Sequence, residues 1–264
     1  SGALTPASST AFTVSAGPAS ALSFTVQPAN FVAGVAIAPA VQVRVNDALG
    51  NAVPGQAVAL TLVGSGTLSG GDPVISDANG VATFATLSVN LAGTKQLRAS
   101  SGVLPAVTTP TFTVSPAAPA GLTFTVGPSN AVAGTLISPA VKVKVTDAFG
   151  NPIAGSSVSL TLVGSGTLSG GGAVLTDAAG LATFSALSVN LTGIKRLTAA
   201  SGTLPTITST TFTIPSAAAA TLIYAVAPGD AIAGVAMAPA VQVKVSDAFG
   251  NAVAGKSVSL ALVG

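Results

Sequence analysis

Apolar and polar residues alternate with a period of two over short stretches of this chain, and each stretch ends at a turn signal. Leu22, Phe24 and Val26 alternate with small polar residues, and Val41, Val43 and Val45 alternate with Gln42, Arg44 and Asn46. A period of two puts one side of a strand on a core and the other toward solvent. The same pattern predicts strands through Val58, Leu60 and Leu62, at Val74 and Ile75, and over residues 81–89, 95–99 and 109–114. Asp-Ala-Leu-Gly-Asn at 47–51 and Asp-Ala-Asn-Gly at 77–80 punctuate them. No helical period of useful length occurs. Short strands and frequent turns predict an all-β chain of antiparallel sandwiches. After Gly80 the inward phase passes from Phe84 to Leu87, an odd spacing that predicts a bulge or a change of sheet.

The pattern repeats every hundred residues. Residues 61–70 and 161–170 are identical, and about 60 of 100 positions agree between 21–120 and 121–220. A third copy runs from Thr221 to Gly264, and residues 1–20 align with 101–120. The chain therefore reads as four pieces: 1–20, the final strand of a preceding repeat; 21–120 and 121–220, two whole repeats; and 221–264, the N-terminal part of a further one. Its two ends are out of register, so the natural polypeptide is expected to continue on both sides. The linker at 115–120, Ser-Pro-Ala-Ala-Pro-Ala, is short and rich in proline, which predicts a stiff, extended connection. The partial third copy should hold three strands. With its inner face uncovered, it should either pack on a neighbour or be poorly ordered.

Composition narrows the chemistry. The chain of 264 residues is 49% hydrophobic and only 6% charged, and its mean hydropathy is +0.75. Gly, Pro, Ser and Thr interrupt every apolar stretch well short of the ~20 residues a transmembrane helix needs. His, Cys, Trp and Glu do not occur. An imidazole base, a thiol nucleophile, a thiolate or imidazole metal site and glutamate-based hydrolysis are thereby removed, and an enzyme is not expected. Nine Lys and Arg against seven Asp give a net charge of +2, too sparse for a nucleic-acid-tracking patch. No cofactor is implied.

Several spaced motifs recur together: Pro-Ala-Val-x-Val-x-Val-x-Asp-Ala-x-Gly-Asn at 39–51, Gly-Thr-Leu-Ser-Gly at 66–70, Gly-x-Ala-Thr-Phe at 80–84, Ala-Gly-Thr at 92–94 and Ala-Ser-Ser-Gly at 99–102. Over essentially its whole length the chain resembles bacterial immunoglobulin-like tandem repeats of the invasin and intimin type. The resemblance implies Ig-like β-sandwiches of about 100 residues linked end to end, in a long secreted or cell-surface protein. It departs in one place. Where such sandwiches often carry the tyrosine of a tyrosine corner, this chain has Lys95 and Lys195, at the same parity as inward-facing Leu97 and Ala99.

Those lysines are one candidate site. In some bacterial surface domains such a lysine forms an isopeptide bond with Asn or Asp, which needs a desolvated neutral amine and an acid to shuttle protons. Asn90, Asn51 and Asp47 are available, but the usual Glu is missing. Otherwise Lys95 lies at the mouth of the sandwich, its methylenes on the core and its ammonium in water. Calcium is a second candidate, through Asp47, Asp72, Asp77, Asp147 and Asp177. The ion wants six to eight converging oxygens, whereas these residues stand mostly alone in their loops. Asp47, Gly50 and Asn51, Asp77 and Gly80, and their counterparts Asp147, Gly150, Asn151, Asp177 and Gly180, read better as Asx turns with a left-handed glycine. The glycine-rich text at 64–66 and 70–71 reads as loop, because no helix follows to cradle a phosphate.

The outward strand positions are the third candidate. They are mostly Thr, Ser and Ala, as at Ser23 and Thr61, with Arg44, Arg98, Lys142, Lys144, Arg196 and Lys244 as exceptions. Sheets so thinly guarded are open to lateral association. The sequence therefore points to an extracellular structural repeat that self-associates into a stalk, fibre or filament. The alternative is an adhesin whose repeats bind a host or carbohydrate ligand, for which one Tyr and ten Phe offer no evident platform.

Overall fold

The computed structural model describes residues 2–263, which form an all-β chain in two compact units divided after Ala117. The first unit holds eleven strands: β1 (Ala19–Val26), β2 (Phe31–Val32), β3 (Val41–Asp47), β4 (Ala57–Val63), β5 (Leu68–Ser69), β6 (Val74–Ile75), β7 (Val81–Phe84), β8 (Ser88–Val89), β9 (Gly93–Ser100), β10 (Val107–Thr108) and β11 (Phe112–Ser115). One sheet has the order β1-β3-β7; the facing one runs β2-β11-β9-β4-β6, with β10 also on β9. Register sets the core. Leu22 lies opposite Val45, Val43 opposite Ala82, Leu60 opposite Ala99 and Leu62 opposite Leu97. Because side chains alternate across a strand, Val41, Val43 and Val45 all point inward and are fully buried with Phe84, Leu87 and Leu97. Each such side chain is worth about 1.5–3 kcal/mol of burial.

The odd spacing between Phe84 and Leu87 is a change of partner. β7 pairs with β3 in the first sheet, whereas β8 pairs with β5 in a separate two-stranded ladder, and both Phe84 and Leu87 are buried. Two short strands, β2 and β5, lack a legible alternation. β2 runs parallel to β11, where the Phe31 and Phe112 rings lie 5.7 Å apart. No strand forms over residues 2–18. The equivalent strand β11 is held by its pairing with β9, Lys95 opposite Phe112 and Gly93 opposite Val114.

The second unit repeats the first through its initial hundred residues. Val141–Thr146 lies between Gly121–Val126 and Leu181–Phe184, and Ser157–Val163 pairs with Gly193–Ala200. Its remaining part, from Thr221, departs from the three strands expected. Thr221–Val226 pairs with Gln242–Ser246, but residues 257–263 form no strand. Their equivalent in the repeat before, Ser157–Val163, is a strand because Gly193–Ala200 pairs with it.

Candidate functional site: the two ends of a repeat

Each Asp-Ala-x-Gly-Asn turn is a closed hydrogen-bond system. One oxygen of Asp47 accepts from the Leu49 and Asn51 backbone N–H groups at 2.9 and 2.8 Å. The other accepts from Asn51 Nδ2 at 2.9 Å and from the Gly17 N–H at 2.8 Å. Asn51 Nδ2 above all, with the three N–H groups, favours the carboxylate over the opposing effect of burial and lowers its pKa to about 2. Asp247 has the same set: Phe249 and Asn251 N–H on one oxygen, Asn251 Nδ2 and Ala217 N–H on the other. Burial, its largest influence, raises that pKa, but the Asn251 side chain and the three N–H groups together outweigh it and hold the carboxyl below its usual range. Asp147 accepts from Phe149 N–H, Asn151 N–H and Asn151 Nδ2. Gly50, Gly150 and Gly250 complete the turns at φ of 84–85°.

The Asp77 turn is built mainly from backbone donors, with the Asn79 side chain beside them. Asp77 Oδ1 accepts from Asn79 and Val81 N–H at 2.8 and 2.9 Å, and the Val81 N–H leads in lowering the pKa. Asp177 Oδ1 likewise accepts from the Ala179 and Leu181 N–H groups. Gly80 is required twice over, by its φ of 71° and because a Cβ there would lie 2.7 Å from the Val45 carbonyl oxygen. These carboxylates thus face N–H donors. Among the described residues no three acidic side chains come together.

The lysines sit deeper than a lysine with its ammonium in water would. Lys95 and Lys195 are only 3% and 2% exposed. Lys95 Nζ donates to Ser65 Oγ at 3.0 Å and the Ala92 carbonyl at 3.3 Å; Lys195 Nζ donates to Ser165 Oγ at 2.9 Å and the Thr192 carbonyl at 3.1 Å. Each lysine therefore braces the turn just before it from inside. A second brace comes from the turn's asparagine, since Asn90 Oδ1 accepts from Thr67 N–H and Asn190 Oδ1 from Thr167 N–H, both at 2.7 Å.

In the second unit these two features meet. The 247–251 loop is seated on the 190–192 turn: Thr192 N–H donates to Asn251 Oδ1 at 3.0 Å, and Asn251 Nδ2 donates to the Asn190 carbonyl at 2.8 Å. Beside them the Phe249 ring covers Gly134 so closely that a Cβ there would collide with it, and Gly134 has a φ of 76°. A braced turn with an outward N–H and C=O, and a rigid loop with a matching carboxamide and an apolar ring, form the two halves of a joint. From the sequence, Asn51 and Asn151 read as turn residues, and Asn51 also as an available partner for a lysine cross-link, but neither as part of a joint. The readable clue to a joint was a large apolar residue (Leu49, Phe149 or Phe249) inside an otherwise polar turn.

Closed antiparallel sandwiches with these topologies define the class, a chain of Ig-like domains in tandem. The chain is similar to the solved structure of the Escherichia coli adhesin FdeC, with 21% identity, a TM-score of 0.49, and coverage of 92% of this chain and 79% of that one. It is similar to Yersinia pseudotuberculosis InvD at 23% identity and a TM-score of 0.46, covering 88% and 72%. For invasin, a bacterial integrin-binding protein, the figures are 19% and 0.40, covering 90% of this chain and 48% of that one. No family model and no curated protein matches the chain. Among the described residues no helix is long and apolar enough to cross a membrane.

Proposed function

We propose that the chain is a section of an extracellular structural repeat protein that forms a stalk or fibre, with 1–20, 21–120, 121–220 and 221–264 as its repeat pieces. The observation that carries this reading is the joint at Asn251. A sandwich whose braced turn is seated on the preformed loop of the following repeat resists bending there without a metal or a disulfide. In the first repeat Asp47, Asp77, Asn90 and Lys95 are all engaged in holding turns, which points to the fold itself as the working part. Lateral association between chains is the second half of the proposal, supported by outward Thr, Ser and Ala positions with few charges to oppose it.

Electron microscopy of the native material tests the first half: ordered rods or filaments are expected, and dispersed flexible chains would overturn it. Sedimentation of the 264-residue chain tests the second, with mass expected to rise with concentration. A clean monomer at high concentration removes lateral association but leaves the stalk. Saturable binding of a glycan by an isolated chain would favour an adhesin instead.

A further inference from the structure

Among the described residues nothing is seated on the loop half of the joint that the first unit carries. The 47–51 loop has the same internal hydrogen bonds as the 247–251 loop, and Gly50 and Gly250 share a φ within a degree. The surroundings differ. Asn251 is buried against the 190–192 turn, whereas Asn51 is exposed. Leu49 is 88% exposed where Phe249 is 43% exposed. An open hollow of about 470 Å³ lies beside the loop, lined by Val14, Pro18, Asp47, Leu49 and Asn51 among others.

We propose that the 47–51 loop is a docking surface for the braced Asn-Leu-x-Gly turn of an Ig-like repeat standing before it in tandem order. Asn51 reads that turn as Asn251 does, accepting the N–H of its third residue and donating to the carbonyl of its asparagine. Leu49 covers the glycine equivalent to Gly134. The occupant is fixed by complementarity: the surface offers one acceptor, one donor and one apolar side chain in a rigid frame, and the Asn-Leu-x-Gly turn with its left-handed glycine, as at 190–193 with Gly134, answers all three. Since Asp47 has already ordered the loop, docking requires little further ordering of the backbone. The proposal rests on reading the chain as a stack of repeats.

The test lengthens the full chain at Ser1 with an in-frame copy of residues 21–100, so that residues 1–20 complete an added repeat. Exchange of the Asn51 side-chain amide protons is expected to slow about tenfold relative to the 264-residue chain, the effect of two added hydrogen bonds, and Asn51→Ala should abolish a matching shift of the Leu49 methyls. An added repeat with dispersed, folded resonances and unchanged Asn51 exchange would overturn the proposal. So would protection of Asn51 in the unextended chain that grows with concentration, because the occupant would then be a second copy. If the added repeat does not fold, Asn251→Ala in the 264-residue chain decides: Thr192 N–H exchange should accelerate about tenfold, and no change would show that this asparagine does not hold the joint. None of these outcomes depends on whether the native material forms filaments, so the stalk reading stands or falls separately.

Discussion

Residues 141–163 and 241–263 carry nearly the same text and reach different states. Val143, Val145 and Leu160 are buried in a closed sandwich, while Leu260 is 59% exposed against 4% for Leu160, and the Leu222, Ile223 and Tyr224 side chains stand half open. Only the first two strands of the third repeat pair with each other. The turn at 247–251 is nevertheless as well formed as its counterparts. Hydrogen bonds within five residues survive the loss of the opposite sheet, whereas burial does not, because an inward face is defined by a partner far along the chain. Local and non-local order therefore separate within one molecule.

The largest expected effect breaks the symmetry outright. Leu160→Ala should destabilise the second repeat by about 2–5 kcal/mol through lost burial and a residual cavity. Leu260→Ala, at the same place in the repeat, should stay within about 0.5 kcal/mol. Amide exchange followed separately in the two regions measures both, and equal losses would mean that the third repeat is closed in solution. A smaller effect sharpens the comparison at the joint. Ala at Gly234 meets nothing within 4 Å and should cost only the left-handed backbone, about 1–2 kcal/mol. Ala at Gly134 adds a collision with Phe249, so it should also release Thr192 N–H, and pairing Gly134→Ala with Phe249→Ala should remove the excess.

The smallest effect concerns acid. Asp47 has a folded pKa of about 2 against an ordinary 3.8, so its contribution is complete above about pH 4 and disappears as pH falls through the folded value. Asp247, lowered by the same donors, should behave alike although its repeat is open. Exchange in the 247–251 loop should therefore quicken only below about pH 4, and Asp247→Asn should flatten that dependence. A loop equally sensitive at pH 6 would point to the core rather than the carboxylate.

Much of this architecture was legible in the alternation of residues such as Val41, Val43 and Val45, since a face buried by one sheet leaves a local periodic trace. The Asx turns were legible for the same reason: Asp, Gly and Asn act over four or five residues. The break at Phe84 and Leu87 could be located but left as bulge or sheet change, because the choice depends on whether β8 meets β3 or β5. β2 and β5 were invisible, being two residues long and defined by their partners. The inward parity of Lys95 was legible, but its expected place at the sandwich mouth with the ammonium in water was not what the fold gives. Its acceptors are thirty residues back, on Ser65, and on the carbonyl at position 92, which carries no side-chain signature.

By itself the sequence determined the hundred-residue repeat, the strand faces and the geometry of each turn, all of which follow from interactions between near neighbours or from text compared with itself. Only the tertiary structure decided that the buried lysine braces the 190–192 turn, and that Asn251 and Phe249 close over that turn and Gly134. Apart from the lysine's bond to the Thr192 carbonyl three residues back, those contacts join groups about thirty to more than a hundred residues apart, several of them backbone atoms identical in every residue, and only folding brings them within reach.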